Sequence, residues 1–298
     1  MKKEAVSVFW FRRDLRLDDN RGLFEALNSP FPVLPIFIFD SEITDELDKD
    51  DARITFIYDS LNKMSIQLGE SSSSIYCTKG DPIAVWRELL NKYNVKSVYA
   101  NEDYEPYAIK RDQEVAQLLH QKDIQFNLFK DQVIFAKGEV LKGDKTPYTV
   151  FTPYKNKWLE LFATESLQDY TSHSNSNFLK GEIPFPEISD LGFTRSSIKV
   201  LNYKLDQLDD YETARNFPAK NKTSYLSPHL RFGTVSVRKV ILKIIDNKTF
   251  VSELIWREFF MQILYHFPKV VGNNFKRKYD GVQWRNNPQE FETWKNGQ

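Results

Sequence analysis

The chain has 298 residues, 41% of them hydrophobic and 28% charged, with Lys+Arg and Asp+Glu balanced at 41 each. That length accommodates two domains of about 150 residues, and the composition is that of a globular chain, which excludes wholesale disorder. The longest apolar runs, such as Phe31–Phe39 and Phe259–Leu264, fall far short of the roughly 18 residues of a membrane span, so no membrane partner is expected.

The N-terminus, Met1-Lys2-Lys3-Glu4, leads into a short apolar stretch and two arginines with no small-residue cleavage site, which reads against a secretory signal. The single cysteine, Cys77, forms no internal disulfide, and a reducing cytoplasmic setting is the simplest expectation. The neutral total conceals an asymmetry. Residues Tyr211–Gln298 hold 15 Lys+Arg against 7 Asp+Glu, a balance of +8, and the rest of the chain carries −8. Such a split suggests a nucleic-acid face on the basic part, with a solvated basic surface as the plain alternative.

Val6–Phe11 (VSVFWF) reads as a buried strand, Asn20–Leu27 as a helix, and Pro32–Phe39 as a second strand. Ala52–Leu68 keeps an apolar stripe at helical spacing. Ser74–Cys77, Lys96–Ala100 and Ile124–Phe129 are further strands, with helices at Pro82–Tyr93 and Ala108–His120 between them. This alternation predicts an α/β fold, a doubly wound parallel sheet with helices on both faces. Val133–Tyr154 reads as an extended connection with a short helix starting near Pro153, and Glu165–Thr194, rich in Ser, Asn and Pro, as the linker. Beyond it the pattern is helical, over Lys199–Asn216, Val235–Ile245 and Thr249–Phe267.

Common chemistry motifs are missing. No GxGxxG follows the first strand, and the chain has no GxxxxGK[ST], GxSxG, HExxH or CxxC. His120, His173, His229 and His266 are too scattered for a metal site, so no metal is expected. The Arg12–Asn20 segment could hold an anion, although loop charges paired with one another are the plainer reading. Thr223-Ser224-Tyr225-Leu226-Ser227-Pro228 puts three hydroxyls ahead of a helix, suited either to a phosphate or to ordinary capping. In Phe250–Pro268 apolar residues almost encircle the helix, so it should be largely buried. Glu253 and Arg257 stand at i, i+4, with Trp256 beside them, which suggests a pocket or an internal ion pair.

VFWFRRDLRLDDN, TSYLSPHLRFG and SELIWREFF, in this order, resemble the photolyase/cryptochrome flavoproteins, and YEPYAIKRD and VQWRNNP fit the same pattern. The resemblance runs from Val8 to the last residue and is closest to the bacterial cyclobutane pyrimidine dimer enzymes. It implies an antenna-binding α/β domain (1–132), a connection (133–195) and the first part of a helical FAD/DNA-binding domain (196–298). It implies FAD held by Tyr211, Thr223, Ser224, Tyr225, Leu226, Ser227, Phe250, Glu253, Arg257 and Phe260. Glu253 and Trp256 would meet the dimer, Arg215 would contact DNA, and Trp284 would be the solvent-side tryptophan of the electron-transfer chain. Members normally continue past this point with a helical segment, so the chain is expected to be C-terminally truncated and inactive by itself.

The implied activity is a carbon–carbon lyase that splits cyclobutane dimers in UV-damaged DNA by electron transfer from excited reduced FAD, acting as a monomer. The alternative is a cryptochrome-type blue-light receptor without repair activity. A second antenna chromophore, folate or deazaflavin, is also implied. Where folate-using members carry an Asn-Glu pair this chain has Tyr107 and Ala108, which leaves the antenna's identity open.

Overall fold

The computed structural model describes residues 3–171 and 177–298, so Met1, Lys2 and His173 lie outside the described residues. Five strands, β1 (Ala5–Phe11), β2 (Val33–Asp40), β3 (Tyr76–Gly80), β4 (Asn94–Asn101) and β5 (Gln125–Phe129), form one parallel sheet in the order β3-β2-β1-β4-β5. The central strands alternate between two cores, because successive side chains in a strand point to opposite faces. Phe9, Phe11, Phe37 and Phe39 face one core, and Val6, Val8, Trp10, Leu34 and Ile36 face the other. Burial on both sides explains why β1 and β2 read as unbroken apolar runs.

The first core is covered by α1 (Arg21–Leu27) and α3 (Ala52–Gly69), and the second by α4 (Pro82–Lys92) and α5 (Pro106–His120), with the single turn α2 (Ser41–Thr44) following β2. Each start has a local cause. Asn20 caps α1 by accepting from the Leu23 amide, Asp51 and Asp81 cap α3 and α4, and Pro82 and Pro106 occupy first-turn positions that need no amide.

A third core gathers α6 (Phe151–Phe162), α8 (Leu226–Phe232), α9 (Val237–Ile244) and α10 (Lys248–His266). The short α7 (Tyr211–Ala214) and the exposed α11 (Pro288–Lys295) complete the helices. The helix expected over 199–216 shrinks to α7. The chain before it is irregular, the Lys204 amide donates to the Ser224 carbonyl, and Asp206, Asp209 and Asp210 are poor helix-interior residues. The stretch expected as a linker contributes to the first core instead. Phe178, Leu191 and Phe193 are buried there, and Val33 exchanges backbone hydrogen bonds with Asn177 and Leu179.

The two parts are clamped by a buried charge network. Arg16 and Arg238 both reach Asp131, at 2.6 and 2.9 Å, and Arg238 also reaches Asp19 at 3.1 Å. Burial works to raise the Asp131 pKa, but Arg16 and Arg238 outweigh it and hold the carboxyl below its ordinary value. Leu15 donates its amide to the Phe232 carbonyl, and Gly233 ends α8 with φ of +65°. A Cβ at Gly233 would lie 2.2 Å from the Arg13 carbonyl oxygen, so only glycine allows this approach.

Candidate functional site

In an open sheet the crevice for ligands lies beyond the carboxyl ends of the strands, where the strand order reverses. Here the reversal falls between β1 and β4. The loops leaving these strands carry Arg12-Arg13 and Asp103-Tyr104-Glu105. Two clefts open from this point.

The first, about 660 Å³, sits over β1 and β2 and is largely aromatic and aliphatic, with Trp10, Phe39 and Phe56 among its walls. Its polar floor is a hydrogen bond from the Tyr107 hydroxyl to Asp40 at 2.6 Å, with Arg111 3.9 Å from the same carboxylate. Burial raises the Asp40 pKa against the opposing pull of Tyr107 and Arg111. Tyr107 and Ala108, the positions singled out for the antenna, both line this cleft.

The second cleft, about 570 Å³, lies between the same loops and helices α8 and α10. It gathers Tyr211, Ser224, Leu226, Ser227, Phe250, Glu253, Arg257 and Phe260 from segments spread over half the helical part. Thr223 and Tyr225 stand in the loop behind it. Thr223 Oγ1 accepts from the Tyr225 amide, and Ser224 Oγ accepts from the Leu226 amide. Ser224 thus serves the first amide of α8, while Tyr225 at the cap position itself is left-handed at φ 53° and gives no side-chain cap. Phe250 meets Tyr211 edge to face at 4.8 Å.

Glu253 and Arg257 do not form the expected pair. Glu253 pairs with Arg215, the C-cap residue of α7. Arg257 instead donates to the Gln132 carbonyl at 2.7 Å and to Leu230 at 3.4 Å. The long guanidinium satisfies carbonyls at the junction of the two parts, which a surface pair with Glu253 would leave unserved. Burial, with Arg13 and Arg231 nearby, pushes Arg257 down to about 10 despite the attraction of Glu258. Among the described residues no carboxylate forms an ion pair with Arg257. A half-buried cation without an ion-pair partner, facing a cleft with serine hydroxyls and apolar walls, suits a ligand with an anionic part and a flat ring. The donor set therefore fits FAD, with Arg257, Ser224 and Ser227 available to phosphate and Phe250, Leu254 and Phe260 to ring surface.

Besides Thr223 and Tyr225, the expected residues Arg215, Trp256 and Trp284 fall outside the cleft lining. Trp256 stacks on Phe151 with centroids 3.5 Å apart and leans on Phe260 at 5.3 Å. Trp284 is 75% exposed. Helix α10 is buried on one face only, and Phe260 is 60% exposed. Apolar residues all round thus marked a cleft wall as well as a core face.

Glu258 had no role in the sequence reading, and Arg13, Tyr104 and Glu105 appeared there only within longer segments. Glu258 is the buried carboxylate of α10. It accepts from the Ile134 amide at 2.5 Å and from the Trp158 indole at 2.7 Å, tying α10 to the connection and to α6. Arg13, Glu105 and Arg231 form an ion triad, with both arginines 2.6 Å from Glu105, that belongs to the walls of both clefts. Tyr104 lines the second cleft. The carboxyl-end rule applied to β4 as well as β1 would have pointed to Tyr104 and Glu105.

A doubly wound sheet whose reversal point opens onto a helical cleft defines a two-part, ligand-binding α/β protein. A family profile described as DNA photolyase matches residues 7–171, and one described as FAD binding domain of DNA photolyase matches residues 250–298. The chain belongs to the DNA photolyase family.

A deoxyribodipyrimidine photo-lyase of Halobacterium salinarum is 29% identical over 98% of this chain and 68% of its own. A crystal structure of a bacterial class III photolyase from Agrobacterium tumefaciens superposes with TM-score 0.80 at 26% identity, over 100% of this chain and 66% of that one. An archaeal photolyase from Sulfolobus tokodaii, solved with two FAD molecules, gives TM-score 0.78 at 28% identity, over 98% of this chain and 67% of that one. The chain therefore spans about two thirds of the length of the relatives it matches. Among the described residues no helix is long and apolar enough to cross a membrane.

Proposed function

We propose that this protein serves light-dependent DNA repair, splitting cyclobutane pyrimidine dimers in UV-damaged DNA with FAD held in the cleft between α8 and α10. The observation that carries the reading is the convergence of Ser224, Ser227, Glu253 and Arg257 on one cleft. Phosphate-holding groups and a carboxylate placed for a pyrimidine edge then share a single wall. Family membership and the FAD-domain match support it.

The flavin, when bound, supplies the photoexcited electron, and the protein's share is positioning and electrostatics. Arg257 with Ser224 and Ser227 would hold the phosphates, and Tyr211, Leu226, Phe250 and Phe260 shape the rest of the cleft. Glu253 would hydrogen-bond the edge of the flipped pyrimidine and share its proton there, stabilising the negative charge that develops on it. Trp256 supplies an apolar wall for a dimer that leaves the duplex at low cost, because its pairing is already damaged. Arg215 would contact a backbone phosphate, and Trp284, at the exposed surface, would be the outermost tryptophan of a relay to the flavin.

We further propose the division 1–132, 133–195 and 196–298, and an antenna chromophore in the cleft floored by Asp40 and Tyr107. The test is repair of a dimer-containing oligonucleotide under blue light and in the dark. Light-dependent loss of dimers supports repair. Flavin photochemistry without dimer loss favours the photoreceptor alternative.

A further inference from the structure

The helical cleft reaches down to the reversal point of the sheet, and there the polar groups do not balance. Tyr104 leaves β4 and is 1% exposed, and its hydroxyl finds no hydrogen-bond partner among the described residues. Arg13 leaves β1, and its Nε is likewise buried and without one. Arg257, from α10, spends its donors on two carbonyls and lacks a carboxylate. These three side chains line the same cleft, and Arg231 joins them through Glu105. Asp103 at 3.6 Å and Glu105 at 2.6 Å balance the charges of Arg13 and Arg231, so the surplus positive charge at this end of the cleft is that of Arg257.

A buried donor without a partner is a cost that native structures rarely carry, and several at one place mark a missing acceptor. An acceptor able to satisfy a phenol and guanidiniums together is an anion with several oxygens, since each N–H or O–H to such an oxygen is charge-assisted. The position obeys the general rule that ligands of doubly wound sheets sit at the reversal of strand order.

We propose that Tyr104 and Arg13, from the sheet domain, complete a pyrophosphate subsite with Arg257, so that the anionic segment of the dinucleotide cofactor is held from both parts of the chain. This rests on the flavin reading of the cleft and adds two residues that TSYLS and the α10 motif do not contain. Tyr104 acts as a neutral donor. Burial pushes its pKa up, helped by the nearby carboxylates of Glu102 and Glu258, so it never competes with the ligand as an anion.

The proposal separates stability from binding. Tyr104→Phe removes a hydroxyl that makes no hydrogen bond in the unliganded chain, so thermal stability should be unchanged or slightly higher. The same substitution should weaken ligands that carry a pyrophosphate about tenfold, the loss of one hydrogen bond to a charged oxygen. The experiment measures binding of FAD, inorganic pyrophosphate and riboflavin to the purified chain and its Tyr104→Phe variant, by fluorescence for the flavins and by thermal shift at matched ionic strength for pyrophosphate. FAD and pyrophosphate weakened together, with riboflavin unaffected, supports the subsite. FAD bound equally by both chains overturns the subsite and leaves the flavin reading standing. Pyrophosphate weakened by the substitution in a chain that takes up no FAD keeps the anion subsite and sinks the flavin reading. Binding of neither by the parent chain overturns both.

Discussion

Arg215 and Glu253 close on each other as an ion pair between the end of α7 and α10, joining two residues assigned separate duties toward DNA. Both are partly exposed, so the pair itself adds little stability. Its consequence is for binding, because Glu253 neutralises Arg215 until a phosphate competes. Glu253→Gln should therefore raise affinity for an undamaged duplex about two- to fivefold. Arg215→Gln should lower it and reduce the slope of log K against log salt by about 1. The double variant should behave like Arg215→Gln. Electrophoretic or anisotropy titrations at several salt concentrations read all of these, and a gain that persists without Arg215 would show a mere net-charge effect.

Glu253→Gln should act differently on repair. It keeps the side chain's shape but cannot share a proton, so dimer binding should stay within about tenfold while fewer dimers are split per absorbed photon. Trp256→Ala should do the reverse, weakening lesion binding by roughly 1–3 kcal/mol through lost apolar contact. Because Trp256 stacks on Phe151, part of its loss should also appear as lower thermal stability. Dissociation constants, quantum yields and melting curves together separate the roles.

Asp131→Asn should cost about 3–5 kcal/mol, because it leaves Arg16 and Arg238 buried without their shared carboxylate. The acid limb of stability should change as well. The folded pKa lies below the unfolded 3.8, so the Asp131 contribution is complete above that pH and fades as pH falls through the folded value. Urea unfolding between pH 3 and 7 should show the parent's extra acid sensitivity disappearing in the variant.

Gly233→Ala should destabilise by several kcal/mol, because the left-handed backbone and the Arg13 carbonyl both resist a Cβ. Since Arg13 lies in the walls of both clefts, ligand affinity in each should fall along with the melting temperature.

Glu258→Gln should cost about 1–3 kcal/mol, since an amide cannot accept from both the Ile134 amide and the Trp158 indole. Burial raises the Glu258 pKa, so the native chain keeps this proton to higher pH than the unfolded chain with its ordinary value of 4.5. Its contribution is thus largest in acid and declines as pH rises past 4.5, and the variant should lose that decline. Urea unfolding of parent and variant across this pH range reports it.

The sheet was legible because two-sided burial writes continuous apolar strands such as VSVFWF, and the helices between them carry Asp and Pro at their starts. The cleft residues were legible through long motifs rather than periodicity, since Ser224 and Arg257 lie far apart in sequence and meet only by folding. Glu258 was not legible for a physical reason. A buried carboxylate looks like an ordinary surface residue until the donors around it are known. The partner of Glu253 was misjudged because helical spacing ranks neighbours within one helix and is silent about Arg215 on another.

The belt formed by residues 177–194 bears on how the chain is made. It is bound to Val33, and Ser74 donates to the Gly181 carbonyl at 2.9 Å while Tyr58 donates to Pro186 at 3.1 Å. These segments leave the ribosome well after the last strand and after α6. A nascent chain that has released only its strands therefore still exposes the flank of β2 and the apolar side of α3. Folding from the N-terminus is then not strictly vectorial, and the sheet waits for a segment synthesised after the first helix of the other part.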